Sequence, residues 1–589
     1  MTELFEPVGE HDWRIATTAT GLLADFNAAG LLTSADIHVA TRVGALGGED
    51  DERVLLAVAL AVRAVRRGSV CLDLASVRDT APDLPWPERW PLEQSPLVAA
   101  GVLRWELGLL YLDRYHRLEA QVHDDLAARL ALAPPPVDED RLAASLAHVR
   151  AGHFSAEQEA AVVAAVHRRT TILTGGPGTG KTTTVARLLA LLADQAGGHL
   201  SIALAAPTGK AATRLQEAVT SELDAVARTW PEVASLVGRP AGLTLHRLLG
   251  WRPDNATRFR HDRANRLKYD VVVVDESSMV ELTMMGRLLE ALRPESRLVL
   301  VGDPRQLTSV GAGAVLSDLV AGYDGRPDSP VAALTENFRS EEDIKALAAA
   351  LRDGDADEVL TVLRTPSDQV AFVEIDDEEA IEQALRPDSL AAALAVRQAA
   401  VDEDPARALA ELDRYRLLCA HREGPYGVRR WNHLVERWLA EDPDIDLHGP
   451  WGGQWYVGRP LLVTSNDYAL DVYNGETGVV VRQGGRPRAF VAGSERLKEF
   501  APGRLDAVET MHAMTIHKSQ GSQADRVTVL LPDEGSRLLT RELFYTAVTR
   551  ARHHVRVVGT EAAVRAAVET RAQRATGLRL RLAGKPAGE

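Results

Sequence analysis

The decapeptide GGPGTGKTTT, residues 175–184, follows the apolar run Thr171-Ile172-Leu173 and leads into a helical pattern over 185–190. A strand that enters a glycine-rich loop and leaves as a helix is built to hold phosphates. Glycines let backbone N–H groups curl around the anion, Lys181 reaches the outer phosphates, and the Thr182 hydroxyl can ligate Mg²⁺. The cradle comprises Gly175, Gly176, Pro177, Gly178, Thr179, Gly180, Lys181, Thr182 and Thr183. Chance would produce the pattern about 0.02 times in a chain this long, so we expect a nucleoside triphosphate, ATP, as ligand. An α/β fold follows, because the motif belongs to a parallel sheet flanked by helices.

At 589 residues the chain exceeds one hydrophobic core and predicts about four domains,. A net charge of −16 lacks the global basic footprint of a nucleic-acid binder, so specific motifs must decide that question,. Two cysteines, Cys71 and Cys419, are too few for a disulfide framework or a four-cysteine metal site,. With no basic n-region, no apolar h-region and no apolar run of about 18 residues, the expected location is the cytoplasm, with no membrane partner.

Residues 1–110 carry apolar residues at helical spacing over 16–28, 36–42 and 51–66, with nothing at catalytic spacing,. The segment 110–132 predicts a strand end running into a long amphipathic helix, closed by Pro134-Pro135-Pro136,. Strands expected at 171–173, 202–206, 271–274 and 298–301 define one parallel sheet, and those at 416–420, 526–531 and 554–559 a second. Between them, 456–491 is rich in Val, Tyr, Gly and Asn, with an Asn474-Gly475 turn, and predicts a small inserted β-barrel,.

The run Val271–Val274 delivers Asp275 and Glu276 to a sheet edge about a hundred residues after the loop. Read alone, such a pair also suits a helix N-cap. After a phosphate-binding loop it predicts Asp275 as the Mg²⁺ ligand and Glu276 as the base for the attacking water. Gln306, in LVLVGDPRQL, can sense the γ-phosphate, although Gly302-Asp303-Pro304 also fits an ordinary turn. Arg339 and Arg550 stand in polar turns where each can be an arginine finger or a plain surface arginine.

Taken in order, Gln158 in FSAEQEAAV, the phosphate loop, APTGKAATRL (206–215), TLHRLLG (244–250), VVVVDESSM, GDPRQLTSVGAGAVL, LTENFRS, MTIHKSQGS and YTAVTRAR resemble the motif series of superfamily-one helicases. Within that superfamily GAGAVL, NDYALDVYNGETG and LYLDRYHRLEAQV resemble the RecD family, the alpha subunits of exodeoxyribonuclease V. The resemblance spans roughly residues 100–560. It implies two RecA-like parallel-sheet domains, 137–335 and 336–450 with 509–575. Around them it implies a helical partner-docking region at 1–110, a connecting helix and linker at 111–136, an SH3-like β-barrel at 451–508 and a tail at 576–589.

The same resemblance assigns Gln158 to the adenine edge and Arg339 and Arg550 to the arginine fingers. It places Thr208, Lys210, His246, Thr515, His517 and Lys518 on single-stranded DNA, a set of few charges that suits a strand gripped and released repeatedly. Trp251 fits either base stacking or the core, and 251–268, with Arg258-Phe259-Arg260, resembles the hairpin with which the family splits a duplex. Where the family has Glu and Phe after HKSQG, this chain has Ser522-Gln523-Ala524, which removes a charge from that position.

The expected activity is an ATP-dependent 5′→3′ DNA helicase, working on DNA ends with RecB-like and RecC-like subunits in double-strand break repair and recombination. A stand-alone RecD-like helicase and a structural subunit with an inactive ATPase are the alternatives. No nuclease site is expected, because no carboxylate cluster with an adjacent lysine of nuclease type is seen. Replacing Lys181 by Ala is expected to lower DNA-stimulated ATPase at least about 10²-fold, the scale of a lost electrostatic stabiliser. Steady-state hydrolysis with single-stranded DNA checks this.

Overall fold

A computed structural model describes the chain apart from residues 1–4, 6–11, 151–153, 253–254, 310, 339–340, 446, 448–453, 468, 494–495, 573 and 585–589; at 234 and 255–257 only the backbone is described. Three helices, Gly21–Ala28, Ser34–Gly47 and Glu52–Arg66, come first. Thr33 and Asp36 form a capping box on the second and the Asp51 carboxylate caps the third,. The region expected to be helical also carries a small antiparallel sheet, β1 (Leu72–Asp73), β2 (Leu103–Glu106) and β3 (Leu109–Leu112), in the order β1-β3-β2. Its β2–β3 turn is Leu107-Gly108, both at positive φ. That conformation matches strand twist but is rare for leucine, which hides the hairpin from a sequence reading.

The helix Asp113–Leu130 is more than a connection. Leu118, Val122 and Leu126 share one apolar cluster with Ile172, Val272, Val274, Leu298 and Leu300 of the first large sheet. At its end the buried Arg129 guanidinium donates to Thr170 Oγ1 and to the carbonyls of Arg293 and Ser296, satisfying a charge that would otherwise be costly to bury,.

That sheet contains β4 (Thr170–Gly175), β5 (Ile202–Ala206), β6 (Gly242–Thr244), β9 (Val271–Val274), β10 (Arg297–Gly302) and β11 (Val331–Leu334), between which β7 (Trp251–Arg252) and β8 (Asn255–Phe259) form a separate hairpin. All six strands are parallel, in the order β11-β4-β10-β9-β5-β6. Central strands of such a sheet have helices on both faces and therefore read as unbroken apolar runs; Val271 to Val274 are all buried,.

The second sheet, also parallel, has the order β12-β21-β20-β13-β19, with β12 (Val370–Glu374), β13 (Tyr415–Cys419), β19 (Ala513–Thr515), β20 (Ala524–Leu530) and β21 (Ala551–Gly559). Inserted between β13 and β19 is a five-stranded antiparallel sheet of β14 (Pro460–Val463), β15 (Thr477–Gln483), β16 (Arg486–Ala492), β17 (Leu497–Phe500) and β18 (Val508–Thr510), in the order β17-β16-β15-β14-β18. Among the described residues, no helix is long and apolar enough to cross a membrane.

Residues 574–582, which fall largely in the stretch read as a tail, return to the first large sheet. Arg574 donates to the carbonyls of Gly311 and Gly313, and the helix Leu578–Leu582 packs on Val315–Gly322. The anchor is Glu119, fully buried, which accepts from Tyr111 Oη (3.0 Å), the Gly577 amide (3.0 Å) and Arg581 Nε (3.1 Å). Removing one partner of a buried ion pair leaves the other charge uncompensated. Glu119→Ala is therefore expected to cost about 3 kcal/mol and to expose the chain after 570 to proteases. Thermal unfolding and limited proteolysis measure both effects.

Candidate functional site: a nucleotide cleft and a strand path

Apart from Gln158, in the first turn of the helix Ala156–Val166 that precedes β4, the candidates of the first sheet follow strands' carboxyl ends, where parallel sheets present their polar loops,. The phosphate loop follows β4, Asp275-Glu276 follow β9, and residues 303–307 follow β10, the strand between them. Register makes these ends level: Gly302 pairs with Thr174 and Leu300 with Val274. Thr208 and His246 follow β5 and β6, further along the same edge. One sheet edge thus carries nucleotide chemistry at its centre and the strand-contact candidates at its flank.

In the phosphate loop, Lys181 Nζ donates to the carbonyls of Gly175 (2.7 Å) and Gly176 (2.9 Å). Gly180 has φ +77°, and a Cβ there would come within 2.1 Å of Gln158 Nε2, so both backbone and space require glycine,. Gln158 is buried, caps its own helix through Ser155, and donates Nε2 to Thr179 O (3.1 Å). Its amide therefore braces the loop that it flanks. Thr179 Oγ1 bonds Gly176 O (2.9 Å), Thr183 bonds Glu222 (3.0 Å), and Thr182 occupies the second position of the helix Lys181–Ala196. Pro177 and Gly178 form the apex of the turn; Gly178 O accepts the Phe338 amide (3.0 Å).

Asp275 Oδ1 accepts the Glu276 amide (2.8 Å), and Glu276 itself sits at φ +50°. A non-glycine residue held there stores roughly 1–3 kcal/mol of strain, a feature that concentrates at functional sites. Burial, with the adjacent Glu276 charge next in importance, pushes Asp275 up to about 6. An acidic pair within electrostatic reach of Lys181 is a fitting donor set for a hard divalent cation such as Mg²⁺,.

Arg339 lies outside the described residues. The segment leading to it is anchored on Glu157, whose Oε2 accepts the amides of Thr335 (2.7 Å) and Glu336 (3.1 Å). Arg550 is 4% exposed. Its guanidinium donates to Thr546 O (3.1 Å), Ser522 O (3.2 Å) and, across the cleft, Gln306 Oε1 (2.9 Å). Burial is the chief influence on its ionisation, opposed by the charges of Glu276 and Asp303.

The remaining candidates lie along the junction of the two large sheets and the insert. Thr208 caps the helix Gly209–Ala227. Burial pushes the Lys210 ammonium down to about 8 against the pull of Asp413, 3.6 Å away. The His246 ring stands 5.8 Å from Phe259 of the β7–β8 hairpin, and burial lowers its basicity. Thr515, at the end of β19, accepts the Lys518 amide (3.3 Å); Lys518 Nζ bonds Asn474 of the insert (2.7 Å), and burial lowers the basicity of His517. Trp251 and Gln523 are both half-buried.

The sequence reading missed the residues that join the halves. Tyr545 Oη donates to Asp303 (3.0 Å), the Leu307 amide to Thr546 Oγ1 (2.9 Å), Gln520 Nε2 to Leu307 O (2.7 Å) and Arg214 to Gly521 O (2.8 Å). All of them lie within the motif segments quoted above, but spacing assigned them no role, because each meets a residue of another segment far away in sequence.

Two parallel-sheet domains that share a phosphate loop, an Asp-Glu pair and a buried trans-cleft arginine define an ATP-dependent DNA helicase of superfamily one. The comparisons with known proteins agree: residues 158–312 match the AAA domain, 510–558 the UvrD-like helicase C-terminal domain, and 28–159 the N-terminal domain of RecBCD enzyme subunit RecD. The chain is 56% identical to RecBCD enzyme subunit RecD of Mycolicibacterium smegmatis over 95% of its own length and 98% of that protein's, and 53% identical to that of Mycobacterium tuberculosis over 97% and 98%. It is 31% identical to the ATP-dependent RecD2 DNA helicase of Deinococcus radiodurans, over 82% of this chain and 60% of that one. This chain belongs to the RecD family.

An arginine finger acts on charge that develops in the transition state, so if Arg550 is one, Arg550→Ala is expected to retain nucleotide affinity while kcat falls about 10³-fold. Equilibrium nucleotide binding beside single-stranded-DNA-stimulated hydrolysis separates the two quantities.

Proposed function

We propose that this chain is the 5′→3′ motor of a RecBCD-type assembly, acting on DNA ends in double-strand break repair and recombination in the cytoplasm and cutting no DNA itself. The observation that carries the reading is the Arg550–Gln306 contact. It spans a cleft whose first-domain wall holds Lys181, Asp275 and Glu276. In this reading Thr182 and Asp275 would hold Mg²⁺, which would supply positive charge beside the phosphates. Glu276 orients and deprotonates the attacking water, Gln306 senses the γ-phosphate, and Arg339 and Arg550 complete the charge neutralisation from the second domain. Closing and opening of the cleft then shifts the grip of Thr208, Lys210 and His246 on one side, and Thr515, His517 and Lys518 on the other, along a single strand.

The β7–β8 hairpin beside His246 is the proposed duplex splitter, and the five-stranded insert the proposed SH3-like barrel. Partnership with RecB-like and RecC-like subunits is supported by the near full-length match to subunits bearing the RecBCD name. It is also supported by exposed apolar side chains in the N-terminal region, Trp13 (78% exposed), Leu46 (72%) and Trp105 (41%),. Coverage of 98% of the RecD subunits of Mycolicibacterium smegmatis and Mycobacterium tuberculosis, against 60% of the RecD2 helicase, favours this reading over a stand-alone enzyme.

Strand displacement tests it on duplexes with a 5′ tail, a 3′ tail or blunt ends, in ATP and Mg²⁺. Unwinding from the 5′ tail with strands of unchanged length is expected. Unwinding from the 3′ tail alone, or shortened strands that disappear when one of the chain's own carboxylates is replaced, defeats the proposal.

A further inference from the structure

Gln306 is 4% exposed, and both ends of its amide are engaged. Nε2 donates to Asp303 Oδ2 (3.3 Å) while Oε1 accepts from Arg550 Nη2 (2.9 Å). A primary amide is nearly symmetric in shape, so its orientation is set by what surrounds it. A carboxylate on one side and a guanidinium on the other decide the matter, since reversal would set oxygen against carboxylate and NH₂ against guanidinium in a buried site. Asp303, 3% exposed, is itself fixed: Oδ1 accepts the Arg305 amide (3.0 Å) and Oδ2 also accepts the Tyr545 hydroxyl (3.0 Å).

Tyr545 and Arg550 belong to one stretch of the second domain, the first on the helix Arg541–Val548 and the second just past its end. Besides the bonds of Thr546 and Gln520 to Leu307, the second domain therefore reaches the Gln306 amide in two ways, once directly and once through the carboxylate that aims it. The two grips differ in what they touch. Arg550 is a charge that, in the reading proposed above, is wanted at the γ-phosphate in the transition state. The Tyr545 hydroxyl stays protonated, because burial and the Asp303 charge push its pKa well above the usual tyrosine value, and so it remains a donor,. The same hydroxyl abuts the phosphate loop, where a Cβ on Gly176 would lie 3.1 Å from it.

We propose that Asp303 and Tyr545 are positioning residues for hydrolysis: together they fix which end of the Gln306 amide faces the nucleotide, and they keep the loop tied to the second domain when Arg550 leaves Gln306 for the γ-phosphate. This rests on the reading of Gln306 and Arg550 given above. In this proposal the pair acts through Gln306, to which Asp303 bonds and which Tyr545 reaches through Asp303.

Tyr545→Phe retains the ring and removes only the donor. In the full chain it is expected to leave the thermal transition, single-stranded DNA affinity and KM for ATP unchanged within twofold, while kcat for DNA-stimulated hydrolysis falls about tenfold, equivalent to about 1.4 kcal/mol. Asp303→Asn is expected to give a loss of the same size. Because the effect passes through Gln306, Tyr545→Phe lowers kcat no further in a Gln306→Ala background, whereas independent damage would multiply the two losses. Wild-type kcat in Tyr545→Phe, or an undiminished tenfold loss on top of Gln306→Ala, overturns the proposal. A Gln306→Ala chain with unchanged kcat overturns instead the reading of Gln306 on which it stands.

Discussion

The arrangement depends on one constraint: a parallel sheet covered by helices on both faces has nowhere to put polar chemistry except at the ends of its strands. In the first domain this constraint aligns β4, β10 and β9 so that lysine, glutamine and the acidic pair converge without any one loop reaching far. Loops after β5 and β6 fall on the same edge. Events at the phosphates and at a bound strand therefore share a single rigid base, and communication between them needs only the second domain to move.

What the sequence disclosed follows the same physics. The strands it revealed, β4, β5, β9, β10, β13, β20 and β21, are all interior to their sheets and carry buried, mostly apolar stretches, in β21 confined to its second half. Those it concealed in the two large sheets, β6, β11, β12 and β19, are all at edges, short and only partly buried, as in Gly242–Thr244 and Val331–Leu334. Edge strands owe their state to the neighbour they join, which no local pattern records. Likewise the motif residues were legible by spacing. Tyr545, Asp303, Thr546 and Gln520 were not, since their roles arise from a meeting of segments more than two hundred residues apart.

The strand-contact candidates explain how a chain of net charge −16 can work on DNA. Lys210 faces Asp413, Lys518 is held by Asn474, and His246 and His517 are disfavoured as cations by burial. Each of these positive charges is partly spent within the protein. On the proposed strand path a phosphate would have to compete for it, which would keep contacts weak enough to break once per cycle.

The return of residues 574–582 to the first domain has a mechanical meaning. The chain enters the second domain after β11 and leaves it after the helix Glu561–Glu569, and both crossings end in packed structure of the first domain. A body attached by one cord can drift and twist in any direction. Attached by two, it swings like a door, with rotation about the line through its hinges left free and sliding across that line resisted. Glu119, buried far from any nucleotide, is on this view the screw that fastens the lower hinge to its frame.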